Sequence, residues 1–77
     1  MQVRVLFFGV LSELAGTDLK FYNEVHSTDD LLLRIADDYP DTVNYNFRVS
    51  LNHVILTETK PLADGDEVAL MPPFSGG

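Results

Sequence analysis

The chain has 77 residues, 45% hydrophobic and 22% charged, with 12 acidic against 5 basic side chains and a net charge of −7. That length fits one domain, residues 1–77, with a small core that buries only roughly 60% of the surface its unfolded form exposes. The absence of cysteine excludes a disulfide framework, a thiolate zinc site, a cysteine-held iron–sulfur cluster and a cysteine nucleophile, and the acidity argues against nucleic acid while suiting either a basic protein partner or plain solubility.

Gln2 to Phe8 alternates, with Val3, Val5 and Phe7 on one face and Arg4, Leu6 and Phe8 on the other. This predicts a strand with one buried face and a second face that is only partly polar. Arg4 interrupts the apolar run, which is far short of the roughly 20 residues of a membrane span. No small-residue cleavage site follows it. The expected location is the cytoplasm, with no membrane partner. Leu11, Leu14 and Ala15 have helical spacing, and Gly16 is a natural helix stop. Leu19 to Val25 reads as a second strand, hairpin-paired with the first. Its alternation places Leu19, Phe21 and Val25 on one face and Lys20, Tyr22 and Glu24 on the other.

Ser27 or Thr28 can cap a helix whose first turn carries Asp29 and Asp30, residues that suit its positive end. Leu31, Leu32, Ile35, Ala36 and Tyr39 form one apolar stripe, and Pro40 closes the helix at Tyr39. Asp41 to Asn46 is polar and turn-rich. Phe47, Val49 and Leu51 alternate with Arg48, Ser50 and Asn52 as a third strand. Asn52-His53 predicts a tight turn into Val54-Ile55-Leu56. Pro61 to Glu67 is a loop with a strong Asp64-Gly65 turn signal. Val68 to Met71 is the last strand, Val68 and Leu70 opposite Ala69 and Met71, and Pro72 ends its pairing. One apolar helix stripe needs one apolar sheet face, so the expected fold is a two-layer α+β domain. The last strand has to be central or well held if residues 72–77 are to be aimed as an extended tail.

The body of the chain offers little chemistry. Asp29/Asp30, Asp37/Asp38 and Asp64/Asp66/Glu67 sit at helix ends and in a turn, where carboxylates have ordinary structural roles. His26 and His53 lack ligand spacing, and DGDE lacks the rest of a calcium loop, so no metal site is expected. There is neither a glycine-rich phosphate loop nor a nucleophile elbow. Arg4, Lys20, Arg34, Arg48 and Lys60 are scattered.

Two features remain. Leu6 and Phe8 on the first strand, Met71 on the last and Phe74 beyond it are apolar where water is expected. They mark either a partner interface or a face covered by the short helical segment. The chain also ends in MPPFSGG. Pro72 and Pro73 favour an extended approach, and Gly76-Gly77 can enter a passage too narrow for side chains. Such an end is either a working carboxylate or a frayed terminus.

The segments VRVLFFG (3–9), LAGTD (14–18), DDLLLRIADDYP (29–40) and PLADGDEVALMPPFSGG (61–77) together resemble the small subunit of molybdopterin synthase, a ubiquitin-like sulfur-carrier family. The likeness covers essentially the whole chain. It departs at VSLNH (49–53), where His53 follows Asn52 in place of the family's acidic residue. The resemblance implies a β-grasp fold, with a mixed sheet of about five strands on one main helix. It implies that a ubiquitin-activating-type adenylyltransferase uses ATP and magnesium to adenylate the Gly77 carboxylate, and that a sulfur donor enzyme converts the acyl-adenylate to a thiocarboxylate. The tail, Pro72, Pro73, Ser75 and Gly76 included, then threads into the large synthase subunit, where sulfur passes to cyclic pyranopterin monophosphate. In this picture the chain binds no cofactor and is a sulfur-donating subunit of a heterotetramer, with the catalytic pocket on the large subunit. Leu6, Phe8, Met71 and Phe74 fall in the partner-packing region. The alternatives are a thiamin-type sulfur carrier, a ubiquitin-like protein modifier, and a binding module with an inert tail.

Overall fold

The computed structural model describes residues 1–73. Five strands form one mixed sheet: β1 (Gln2–Phe7), β2 (Leu19–Asn23), β3 (Arg48–Leu51), β4 (Val54–Ile55) and β5 (Glu67–Met71). Two helices, α1 (Val10–Ala15) and α2 (Thr28–Asp38), and a 3₁₀ turn at Pro40–Asn44 accompany it. The strand order is β2-β1-β5-β3-β4. β5 therefore occupies the centre, parallel to β1 and antiparallel to β3, as an aimed tail requires.

The core lies between the sheet and the helices. Val3, Val5 and Phe7 of β1 and Val68 and Leu70 of β5 are buried against Leu11 of α1 and Leu31 and Ile35 of α2. At roughly 25 cal/mol per Å² of apolar surface removed from water, these side chains supply most of the drive for the two layers to close. Phe7 and Tyr39 meet edge to face, with ring centroids 5.8 Å apart. α2 begins where the capping signal predicts: Ser27 is extended, and its Oγ accepts the Asp30 N–H at 3.1 Å. Asp30 in return accepts the N–H of His26, the residue before the cap, at 3.3 Å, so the first turn and the chain leading into it are tied reciprocally. Pro40 does not simply end the helix, because it opens the 3₁₀ turn that carries the chain on to Asn44.

The turns carry their own chemistry. Asn52 and His53, with φ of 48° and 74°, form the two-residue loop of the β3–β4 hairpin. Between β4 and β5, Gln2 N–H donates to Asp64 Oδ1 at 2.7 Å and Gly65 N–H to the Gln2 carbonyl at 2.8 Å. The acidic turn thus staples the start of β5 to the start of β1.

The sequence alternation misassigns one strand. Leu19 and Phe21 do not share a face with Val25. Register pairs Tyr22 with Val3 and Lys20 with Val5, which puts Tyr22 and Lys20 on the helix side and leaves Leu19 and Phe21 outside. Glu24, at φ 58°, takes the chain out of extended geometry. Val25 is thereby buried on the same side as Tyr22, three residues away, so period-two counting fails across that residue.

Candidate functional site

Helices pack on one side of the sheet, and its other side is open. Cross-strand register runs a row of side chains over the open side, from Leu19 through Leu6, Ala69 and Ser50 to Ile55. Met71 and Phe8 follow toward the end of β5, and together with Leu6, Ser50, Ile55 and Ala69 they line a shallow concavity of about 310 Å³. Phe8 is 46% exposed and Phe21 50%, whereas Leu6 and Met71 are half-buried. α1 is not the cover for this surface, because Leu11 and, beside it, Val10, Leu14 and Ala15 pack into the core. Aromatic and aliphatic side chains gathered on one exposed face make the kind of patch that interaction sites use.

The far rim of the concavity is polar. Arg4 pairs with Glu67 across the β1–β5 ladder, and His53 Nε2 lies 3.8 Å from the other Glu67 oxygen. Asn52 ties the rim together, donating from Nδ2 to Asp66 at 3.0 Å and accepting the Glu67 N–H at 2.9 Å. The rim is thus built from β1, the start of β5 and the β3–β4 hairpin loop that carries Asn52 and His53.

A second charged cluster sits on the helix side. Lys20 Nζ and the Tyr22 hydroxyl both donate to Asp38 Oδ2, at 2.8 and 2.7 Å. Lys20 also stands over the rings of Tyr22 and Tyr39, at 5.0 and 4.9 Å from their centroids. The hydrogen bonds from Lys20 and Tyr22 hold the Asp38 carboxyl below its usual range. The bond to Asp38 raises the Lys20 ammonium, and burial raises the Tyr22 phenol. A carboxylate at a helix C-terminus opposes the dipole, and Lys20 supplies the compensating charge, so this cluster is structural.

Leu6, Phe8 and Met71 come together on the open face, beside the point where the chain leaves the sheet. Pro72 and Pro73 follow, both exposed. Phe74, Ser75, Gly76 and Gly77 lie outside the described residues. Gly9 is one residue that pattern reading overlooked. It follows β1 at φ 60°, and its α-carbon lies against Pro72. Its only sequence signal is a glycine directly after an apolar strand. Among the described residues no three His, Asp or Glu side chains gather as a metal site, and no helix is long and apolar enough to cross a membrane.

A five-stranded mixed sheet closed on one principal helix, with its last strand central, defines a ubiquitin-like β-grasp protein. Residues 5–77 match the ThiS family, and the chain belongs to it. It is 37% identical to the molybdopterin synthase sulfur carrier subunit of Chlamydomonas reinhardtii, with both chains covered completely. It is 31% identical to the protein of that name from Escherichia coli, with 97% of this chain and 99% of the relative covered. Among solved structures, a chain of the complex of subunits 1 and 2 of molybdopterin-converting factor from Helicobacter pylori superposes over the full length of both chains, at TM-score 0.69 and 26% identity. The small archaeal modifier protein 1 of Methanosarcina acetivorans superposes at TM-score 0.83 and 25% identity, covering 99% of this chain and 96% of that one.

Proposed function

We propose that this chain is the sulfur carrier subunit of a molybdopterin synthase, working in the cytoplasm. The observation that carries this reading is the course of β5, which runs up the centre of the sheet and delivers Pro72 beside an apolar open face. The names of the curated relatives direct it to molybdopterin. The carboxylate of Gly77 attacks ATP on a separate activating enzyme, with magnesium, to give an acyl-adenylate and pyrophosphate. Sulfide-level sulfur from a sulfur donor enzyme then forms the C–S bond at the carbonyl carbon and displaces AMP as the leaving group, giving a thiocarboxylate. The open face, with Leu6, Phe8, Met71 and Phe74, docks on the large subunit. Pro72, Pro73, Ser75 and Gly76 carry the sulfur into its pocket, where it passes to cyclic pyranopterin monophosphate. Proximity does much of the work, because a tethered nucleophile beside a bound substrate escapes most of the entropic cost of a bimolecular encounter. The net charge of −7 suits a large subunit whose phosphate-binding pocket is basic.

Intact mass tests the reading. With the cognate activating enzyme, ATP, magnesium and a sulfur source, one oxygen of Gly77 is expected to be replaced by sulfur. An unchanged mass with a demonstrably active enzyme overturns it. The likeness to a small archaeal modifier protein favours a second reading, a ubiquitin-like modifier. Isopeptide-linked adducts of Gly77 on lysines, with no sulfur incorporated, would support that one instead.

A further inference from the structure

Among the described residues three glycines have positive φ, and they are not equivalent. A Cβ built on Gly16 (φ 70°) or Gly65 (φ 85°) meets nothing within 4 Å. Those two are needed for backbone conformation alone. Gly9 is needed for conformation and also for room. Its φ of 60° and ψ of −135° lie in a region that L residues enter only under strain. A Cβ there would stand 2.7 Å from Cγ of Pro72 and 3.5 Å from its Cδ. The pyrrolidine ring fills the space a side chain would take, and it is too rigid to swing away as a long flexible chain would.

Both sides of this contact are anchored. Phe8 N–H donates to the Leu70 carbonyl at 3.1 Å, which holds the end of β1 to β5 one step before the contact. The Gly9 carbonyl accepts the Ser12 N–H at 3.1 Å, which fixes Gly9 to the first turn of α1. We propose that Gly9 is a positioning residue for the tail: its bare α-carbon is a notch that seats Pro72 and sets the direction in which the following residues leave the domain. The contact itself is read from the structure alone, whereas its use in sulfur delivery rests on the carrier reading. Docking belongs to the open face, so loss of the notch misplaces the sulfur without releasing the partner.

The experiment compares the full-length chain with Gly9→Ala, Pro72→Ala, the double variant, and Gly16→Ala as a control for positive φ without a clash. Each is converted to the thiocarboxylate and assayed for large-subunit affinity and for single-turnover sulfur transfer. Gly9→Ala is expected to slow transfer about tenfold or more, the scale that small misplacements cost, with affinity within about threefold of the parent chain. Pro72→Ala alone, which empties the notch, is expected to slow transfer as well, and the double variant is expected to be slowed by less than the product of the two single effects, since both act on one contact. Transfer by Gly9→Ala no slower than by Gly16→Ala, or single effects that simply multiply in the double variant, overturns the proposal. If Gly9→Ala does not fold, a synthetic chain with D-alanine in place of Gly9 takes over. Its mirror-image preference accepts this backbone, and its methyl leaves Cα in another direction, so near-parental transfer is expected and slow transfer overturns the notch. Nuclear Overhauser contacts between the Gly9 α protons and the Pro72 ring read the notch without any sulfur chemistry. Their absence overturns the notch and leaves the carrier reading standing. Their presence in a chain that never gains sulfur supports the notch and overturns the carrier reading.

Discussion

Asp38 shows how one side chain settles a conflict that its own element creates. It ends α2, where negative charge is unfavourable, yet it accepts hydrogen bonds from both Lys20 and Tyr22. Its pKa is lowered in the folded state, so its contribution to stability is full above the unfolded value of about 4 and fades as pH falls through the lower folded value. Lys20 is raised chiefly by the same bond, so the contribution of the pair holds from the Asp38 range up to the unfolded lysine value of about 10.4 and fades above it. Asp38→Asn is therefore expected to melt below the parent chain at pH 7, with the gap closing below about pH 4. Melting curves across that range check this, and a gap independent of pH would assign Asp38 no electrostatic role. The same neighbourhood shows where pattern reading stops. The spacing of Leu19, Phe21 and Val25 is regular, but a single left-handed residue, Glu24, resets the count, and nothing about a glutamate announces positive φ. Gly9 is the reverse case. The residue type was visible, but its partner is 63 positions away, and only the fold brings Pro72 to it.

At the scale of elements, local signals were legible where the chemistry is local. The cap at Ser27, the stop at Gly16, the turn at Asn52-His53 and the inward faces of β1 and β5 all follow from residues within a few positions of one another. Ser27→Ala removes the acceptor for the Asp30 N–H and is expected to cost about 1 kcal/mol in denaturant unfolding. Leu70, fully buried in the central strand, is a sterner case: Leu70→Ala is expected to cost about 2–5 kcal/mol through lost burial and the cavity left behind. In a small domain that loss is a large share of the total stability, and a midpoint shift comparable to that of Ser27→Ala would show that the core collapses to fill the gap. The 3₁₀ turn at Pro40–Asn44 was read only as a polar connection, since short turns of that kind carry no periodic signature.

For the whole molecule, the division of labour is between its two sheet faces. One closes the core and the other is left apolar and open, with the tail leaving at its edge. Composition could not assign the exposed residues. It was the register pairing Leu6 with both Leu19 and Ala69 that gathered them into one surface. Phe8→Asp is expected to weaken large-subunit binding about tenfold or more, as loss of an aromatic anchor does, without lowering the melting temperature, since Phe8 is outside the core cluster. Unaltered affinity by titration calorimetry would move the docking surface elsewhere. Deleting Gly77 is expected to leave the melting temperature unchanged and to abolish sulfur transfer in the reconstituted synthase, and product formation by the shortened chain would remove the tail from the reaction.

The central place of β5 also has a consequence in time. Synthesis makes that strand after β1 and β3, which have no direct ladder to each other and join only through it. Until Glu67 to Met71 have emerged, the β1–β2 and β3–β4 segments have no strand to join them into one sheet, and isolated hairpins are marginal in water. Completion of the domain thus waits on residues immediately upstream of the tail, and a chain broken off at Asp66 is expected to show no cooperative melting. Termination before β5 would then leave degradable fragments, whereas a chain that lost only its last residues would still close its sheet.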